Sequence, residues 1–500
     1  ERLSYDAFKN NLEERDTVLF VGSRDGSIHA FDAGKFRYGD NPKTTNIKEL
    51  RGYFKSENLI ANDPGYCSDV TDCPNYGTGK ELWAFIPADL IPRLKNNVLR
   101  GDDQSYVDAS PALADVYLDT NGDGNSDSWR TILLSAEGNG GDTVFCLDVT
   151  DPYNPSFMWE FAAPELFRSR SSPAVGQIGR IQDPVTNEAK WVAFFVTGKV
   201  EDTNLFPAIY VIEISNGSVL HRVVLDDAVD MNSDGFVDAA ETDYGRGGVP
   251  SGQPAIVDSD ENGFIDRLYV ASDRGFMYKV NIPDDPEAPN YDISHCMLNT
   301  DFIDEDGNEV SDSQRWHPVY ASPAVVVDNG VTDTGEIDYN ILVFFGTGDS
   351  PYYDEDINTD DTRYHFFAYV DKTGKGVCNA NNHRLDWFIE LDAGQRIFAS
   401  AFAAAGLVYF GTSTAETEDP CEGHASVDGN EGEIFVVDLE GVVQLRKIVG
   451  DIRTSPLVED EHVYFRTPTG LMSLGSGMYN NEIRAGGTPA AGVKLWQQMD

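Results

Sequence analysis

Basic residues are scarce in this chain: 37 Lys and Arg stand against 84 Asp and Glu, a formal net charge of −47 over 500 residues. A phosphate backbone is bound by clustered cations, so nucleic acid is excluded as a partner, and an anionic membrane surface would repel the chain for the same reason. No run of about 18 apolar residues occurs, so no transmembrane helix is expected. The six cysteines (Cys67, Cys73, Cys146, Cys296, Cys378, Cys421) contain no CxxC, which removes the usual zinc spacing. CSDVTDC sits in a loop rich in Pro, Gly and Asp and fits a local Cys67–Cys73 bridge in an exported, oxidising compartment. The eight histidines form neither HExxH nor His-x-His, and no G-x-S-x-G elbow is present. GNGGD and GRGGVPSG lack the lysine and helix of a phosphate loop and read as turns. Helical periodicity is almost missing; the segment from Ala88 to Asn97 is the one modest helix candidate. The chain opens on ERLSYDAFKNN, without an initiator methionine or a signal peptide, which reads as a processed or partial form.

What the chain does have is a core and a repeat. Hydrophobic residues make up 41% and aromatics 11%, ample for folding despite the charge. Ser-Pro-Ala or a close variant precedes a short apolar strand at Ser110-Pro111-Ala112, Ser172-Pro173-Ala174, Gln253-Pro254-Ala255 and Ser322-Pro323-Ala324. Echoes follow at Ser400-Ala401-Phe402 and Ser455-Pro456-Leu457. Each mark leads to a second strand ending in small residues (TILLSAEG, AFFVTGK, RLYVASDRG, ILVFFGTGD, LVYFGTS, HVYFRTPTG). A third strand alternates apolar and polar residues, and a fourth often carries an aromatic, as in FMWEFAA and LDWFIEL. TVLFVGSRDGSIHAFDAG matches the second and third strands of the same unit.

Four short strands repeated in this way predict an all-β fold, a seven-bladed β-propeller with long loop insertions. Pro at strand starts and Gly at strand ends fall where no ladder bond is needed. The marks are 55 to 81 residues apart, against about 40–50 for a plain blade; the surplus is insertions. One propeller domain is expected over 1–500, with blades at roughly 17–100, 101–165, 166–226, 249–300, 317–395, 396–450 and 451–480. The N-terminal strands are expected to close the ring against the last blade.

The sharpest local motif lies in the insertion at 227–248. DMNSDGFVDAAE, from Asp230 to Glu241, sets oxygen-bearing side chains at the first, third, fifth, ninth and twelfth positions of a loop and a glycine, Gly235, at the sixth. Ca²⁺ is a hard cation that takes about six to eight oxygens, and this is the order a calcium loop requires. Asp230, Asn232, Asp234, the Phe236 carbonyl and Asp238 form the expected metal set, with Glu241 able to close it. A solvated acidic turn needs the same residue types without any metal, but all positions coincide here. Two nine-residue loops, Asp119–Asp127 (DTNGDGNSD) and Asp258–Asp266 (DSDENGFID), occupy equivalent hairpins between first and second strands. A third such hairpin is DNGVTDTGEID at 328–338, and DEDGNEVSD at Asp304–Asp312 has the oxygens without the glycine.

With these segments in place, the chain resembles the C-terminal region of the PilY/PilC family of type IV pilus tip and biogenesis factors. The resemblance is carried by TVLFVGSRDGSIHAFDAG, by SPALADVYLDTNGDGNSDSWRTILLSAEGNGGDTVFCLDVTDP and by QPAIVDSDENGFIDRLYVASDRGFMYKVNI. It implies a quinoprotein-like propeller, exported to the periplasm, outer surface or pilus tip of a Gram-negative bacterium. It implies pilus components, minor pilins and the tip, as partners, with host-cell receptors as further ones. It also implies a calcium site that sets pilus extension against retraction, and so twitching motility, adhesion and virulence. That site maps onto Asp230, Asn232, Asp234, Phe236 and Asp238, with the 258–266 hairpin as the other candidate. The sequence departs from the family at Phe276-Met277-Tyr278, where relatives carry a tryptophan.

The competing enzyme reading is a quinone (PQQ)-dependent dehydrogenase on the same architecture. It would need an axial pocket with a tryptophan floor, an axial calcium and an aspartate base, and many such enzymes have a vicinal disulfide. No adjacent cysteines occur and the strong calcium motif lies in an excursion, so no catalytic residue is expected. Arg100-Gly101-Asp102 raises an integrin-type ligand, though Arg and Asp in such a loop serve equally as ordinary solvation.

Overall fold

The computed structural model describes residues 2–475 apart from 38–52, 57–73, 101–105, 121–125, 180, 184–185, 188, 199–206, 226–248, 274, 285–291, 299–317, 332–334, 336, 349–363, 373–382, 393, 415–431, 453, 460–461 and 468–469. Within these residues the chain builds seven antiparallel blade sheets. Five have four strands in sequential order; the first strands of these begin at Ala112, Ala174, Ala255, Ala324 and Phe402. Each of those first strands starts on the last residue of a Ser-Pro-Ala mark or its echo, and in four of the five a proline occupies the preceding position, which owes the ladder no N–H. The N-terminal sheet has three strands (Val18–Gly22, Ile28–Asp32, Glu81–Phe85) and so does the C-terminal one (Leu457–Glu459, His462–Thr467, Gly470–Gly475). The fold is the β-propeller that the repeat predicts.

Adjacent blades are joined by apolar faces. Ile132, Leu134, Val144 and Cys146 of the second blade share a cluster with Ala193, Phe195 and Tyr210 of the third. The same pattern continues from third to fourth, fourth to fifth, fifth to sixth and sixth to seventh. A recurring clasp adds direction to this packing. Trp83, Trp159 and Trp387, each on the outermost strand of its blade, donate their indole N–H to Pro152 O, Ile214 O and Leu439 O of the following blade at 2.7, 2.7 and 2.8 Å. Trp159 and Trp387 lie over glycine turns, where a Cβ on Gly217 or Gly441 would fall 2.7 Å from the ring. A buried indole needs an acceptor, and the blade-to-blade step supplies it.

The N-terminal strands form a three-stranded sheet of their own. Their described packing is on the second blade: Ile28, Phe20, Trp83 and Phe85 meet Leu133, Phe145 and Leu147. Two α-helices are present among the described residues. The expected one runs over Ile91–Arg100; the other, Arg2–Asn11, escaped sequence reading. Two aromatics three residues apart pack it on the second blade, Tyr5 tilted 4.6 Å from Trp129 and Phe8 6.3 Å from the same ring, and the Tyr5 hydroxyl donates to Asp115 Oδ2 at 3.1 Å while Trp129 Nε1 donates to Ser4 Oγ at 3.0 Å.

Candidate functional site

The hairpins between first and second strands are built alike in the second and fourth blades. In the second, Asp127 Oδ1 accepts the Thr120 hydroxyl at 2.6 Å and the Thr120 N–H at 3.3 Å, and Asp127 N–H bonds Leu118 O at 2.8 Å. In the fourth, Asp266 accepts Ser259 N–H at 3.0 Å and its hydroxyl at 2.5 Å, and Asp266 N–H bonds Val257 O at 2.9 Å. An aspartate at the end of each loop thus ties down the hydroxyl residue at its start.

The fourth-blade loop is described throughout. Asp258 accepts the N–H of Asn262 at 3.0 Å and of Gly263 at 2.7 Å, and the Asn262 side-chain oxygen accepts Phe264 N–H at 2.8 Å. Gly263, in the sixth position, has φ +95°, the left-handed backbone a tight acidic loop demands. Asp258, Ser259 and Asp266 are buried at 8%, 0% and 3% exposure. Burial pushes the Asp258 carboxyl up to about 6; the two amides oppose it, and the Asp260 and Asp266 charges add to it. Burial raises Asp266 as well. Asp260 Oδ1 is buried without a hydrogen-bond partner, so this loop carries an uncompensated acidic oxygen between two desolvated carboxyls.

Neighbouring blades hold the loop from both sides. Ile265 N–H bonds Gln177 O of the third blade at 2.8 Å, and its side chain fills the space over Gly176. From the fifth blade, Asn329 Nδ2 donates to Ser259 O at 2.6 Å. Beneath lies a fully buried ionic cluster that sequence reading missed. Asp371 accepts Lys279 Nζ at 2.9 Å and the Tyr269 hydroxyl at 2.6 Å, with Arg267 Nη1 at 4.0 Å. Arg267 also stacks over Tyr339, 4.8 Å from its centroid. Burial pulls Lys279 down to about 8, against the attraction of Asp371. The available signal was two cations, Arg267 and Lys279, inside short strands whose neighbouring residues are mostly apolar.

The other expected residues are placed unevenly. Asp230, Asn232, Asp234, Phe236, Asp238 and Glu241 lie outside the described residues, as do Asp304–Asp312, Gly101, Asp102, Cys67 and Cys73. Arg100 ends the second helix. Cys146 is a buried free thiol, its sulfur 3.6 Å from Met158 Sδ. Among the described residues no three His, Cys, Asp or Glu side chains converge as a ready chelate; in the 258–266 loop, backbone amides and a serine hold the acids in their places. The donor set still suits a hard cation: Asp258, Asp260, Asn262, the Phe264 carbonyl and Asp266 offer oxygens alone in the order a calcium loop uses. Where the Ser-Pro-Ala segments meet, a cavity of about 340 Å³ is lined by Ser110, Ser172, Ser251, Ser322, Ser400 and Ser455 together with Arg170 and Tyr320.

No protein-family model matches the chain. Among curated proteins it is similar to the type IV pilus biogenesis factor PilY1 of Pseudomonas aeruginosa, 24% identical over 289 residues, which is 56% of this chain and 18% of that protein. It is likewise 25% identical over 291 residues to a PilY1 homolog of Xylella fastidiosa, covering 56% of this chain and 15% of that one. In fold it is similar to the crystal structure of the Pseudomonas aeruginosa PilY1 C-terminal domain, with TM-score 0.53 and 17% identity, covering 87% of this chain and 82% of that one. In sequence the chain is thus similar to PilY1 proteins over part of its length, and in fold to the PilY1 C-terminal domain. The chain spans less than a fifth of the length of the curated PilY1 relatives it matches. No helix among the described residues is long and apolar enough to cross a membrane.

Proposed function

We propose that this chain is the propeller module of a type IV pilus biogenesis factor, acting outside the cytoplasm with pilus components as partners, and that calcium held by its acidic loops regulates pilus extension against retraction. The pilus assignment rests on the PilY1 relatives. The observation that carries the calcium part is the 258–266 hairpin, with Asp258 and Asp266 desolvated around the unpartnered Asp260 oxygen. Asp230, Asn232, Asp234, the Phe236 carbonyl and Asp238 are the second proposed set, on the loop motif alone.

Bound calcium would supply positive charge that removes the repulsion among loop carboxylates. The protein's own residues do the rest. Asp266 and Ser259 fix the two ends of the hairpin, Ile265 anchors it to the third blade, and Asn329 anchors it to the fifth. Loading the loop therefore tightens a contact among three blades. A ligand that binds only the folded form at about 100 times its Kd stabilises by about 2.7 kcal/mol.

Calorimetric calcium titration of wild type, Asp238→Ala and the Asp258→Asn/Asp266→Asn pair separates the two sets. The proposal expects at least one variant to lose a binding event while keeping its circular dichroism, and the same variant to change twitching motility when it replaces the native gene. Calcium heats identical in all three proteins would remove both loops as calcium sites.

A further inference from the structure

Three blades share a device at the end of their second strands, and the second blade meets the same need differently. Thr197, Thr347 and Thr412 each donate their N–H to a residue of the next strand and accept that residue's N–H on their hydroxyl: Ala208, His365 and Glu433, all at 2.9 Å to the hydroxyl. In the second blade this position is Glu137. Its N–H bonds Thr143 O at 3.1 Å, and its Oε2 accepts Thr143 N–H at 3.3 Å. A threonine meets the structural need in three other blades, so the second carboxyl oxygen of Glu137 is surplus to it. Glu137 is nonetheless 0% exposed, and its Oε1 has no hydrogen-bond partner.

That surplus oxygen belongs to a pair. Asp89, from the segment joining the first blade to the second helix, turns its carboxyl to the same point beside Gly141, and both its oxygens are buried without a hydrogen-bond partner. Gly141 makes the approach possible: a Cβ there would fall 1.8 Å from Glu137 Oε2 and 3.3 Å from Asp89 Oδ2. Two carboxylates are both acceptors and cannot hydrogen-bond each other unless one carries a proton. We propose that Asp89 and Glu137 share one proton and thereby clasp the first blade to the second. The surrounding charges favour a proton over a metal ion. Arg93 already places a guanidinium nitrogen 3.4 Å from Asp89 Oδ2 and donates to Gly140 O at 2.5 Å. With one shared proton, Asp89, Glu137 and Arg93 sum to zero charge. Among the described residues no third acidic, His or Cys ligand converges there.

The other charged groups around the pair are engaged elsewhere. Asp108 accepts Asn139 N–H and Nδ2 at 2.7 and 2.9 Å and faces Arg170 at 3.6 Å, while Glu160 accepts Ala88 N–H at 3.0 Å. Burial, then the hydrogen bond with Asp89 and its charge, pushes the Glu137 carboxyl up to about 9, with Thr143 N–H and Arg93 opposing. An acid raised in the folded state lends stability that is complete below its unfolded pKa of about 4.3. That stability drains away as pH rises through the folded value. The clasp is therefore firmest in mild acid and weakens steadily from there to about pH 9.

The test is thermal unfolding of wild type, Glu137→Gln and Asp89→Asn between pH 5 and 9, with EDTA and again with calcium. Glutamine keeps an acceptor for Thr143 and donates to Asp89 without a titrating proton. The expected result is that wild type loses several degrees more than Glu137→Gln across this range, with the variant more stable than wild type at pH 8. Asp89→Asn gives the same flattening from the other partner and serves if Glu137→Gln fails to fold. An infrared difference spectrum at pH 7 between wild type and Glu137→Gln should show a protonated-carboxyl band in wild type only. Equal pH slopes and no such band would overturn the proposal, as would a calcium-dependent gain at pH 8 that wild type shows and Glu137→Gln lacks, which marks a cation site instead.

Discussion

The hairpins of the second and fourth blades share their length, their closing aspartate and their hydroxyl clasp, yet sit in opposite surroundings. Asp127 and Thr120 face solvent, whereas Asp258, Ser259 and Asp266 are buried between the third and fifth blades. Water can screen the acidic oxygens of the first loop. The second has traded that screening for packing, so its carboxyls titrate high and one oxygen stays unpaired. The difference teaches that residue order in an acidic loop says which ion it suits, while burial says whether the loop has need of one.

The deepest break in this comparison is Asp371→Ala, because only the fourth-blade hairpin stands on a buried ionic cluster. Removing that one anion leaves Lys279 and Arg267 both desolvated, and losing one partner of a buried pair costs about 3–5 kcal/mol; urea unfolding reads it directly. Next is the paired truncation Asp266→Ala against Asp127→Ala. Loss of the buried acid strands Ser259 and should cost about 1–3 kcal/mol, against about 0–1 kcal/mol for the exposed one; equal costs would erase the contrast between the loops. A third effect is on pH. Asp258 is raised to about 6, so its contribution is complete below about pH 3.9 and lost as pH climbs through 6. In EDTA, Asp258→Asn should flatten that fall in melting temperature, and in wild type added calcium should offset it. The smallest is Gly263→Ala. No atom lies within 4 Å of the added Cβ, so only the positive φ is penalised, at about 1 kcal/mol, measured by the same unfolding.

The propeller was legible because its punctuation is chemical. Proline before most inner strands, small residues after the second and an aromatic on some of the fourth are each favoured by backbone bonding or blade stacking, and repetition makes them visible. The N-terminal helix was not legible, since Ser4, Tyr5 and Phe8 hold it against Trp129 and Asp115, tertiary contacts across more than a hundred residues. The 258–266 loop was legible as a ligand order, but its burial comes from Ile265 and Asn329 reaching blades on either side. Arg267, Lys279 and Asp371 meet across two blades, so no window of sequence contains them. Glu137 was hidden differently: only the alignment of four equivalent strand ends shows that a threonine would have done.

The most direct measurement is the calcium-induced shift in melting temperature of wild type beside Asp258→Asn/Asp266→Asn at pH 7. A cation seated among oxygens that folding has stripped of water should raise the wild-type transition by several degrees and lift the double variant far less. Equal shifts in the two proteins would contradict the assignment of this hairpin as the regulated site.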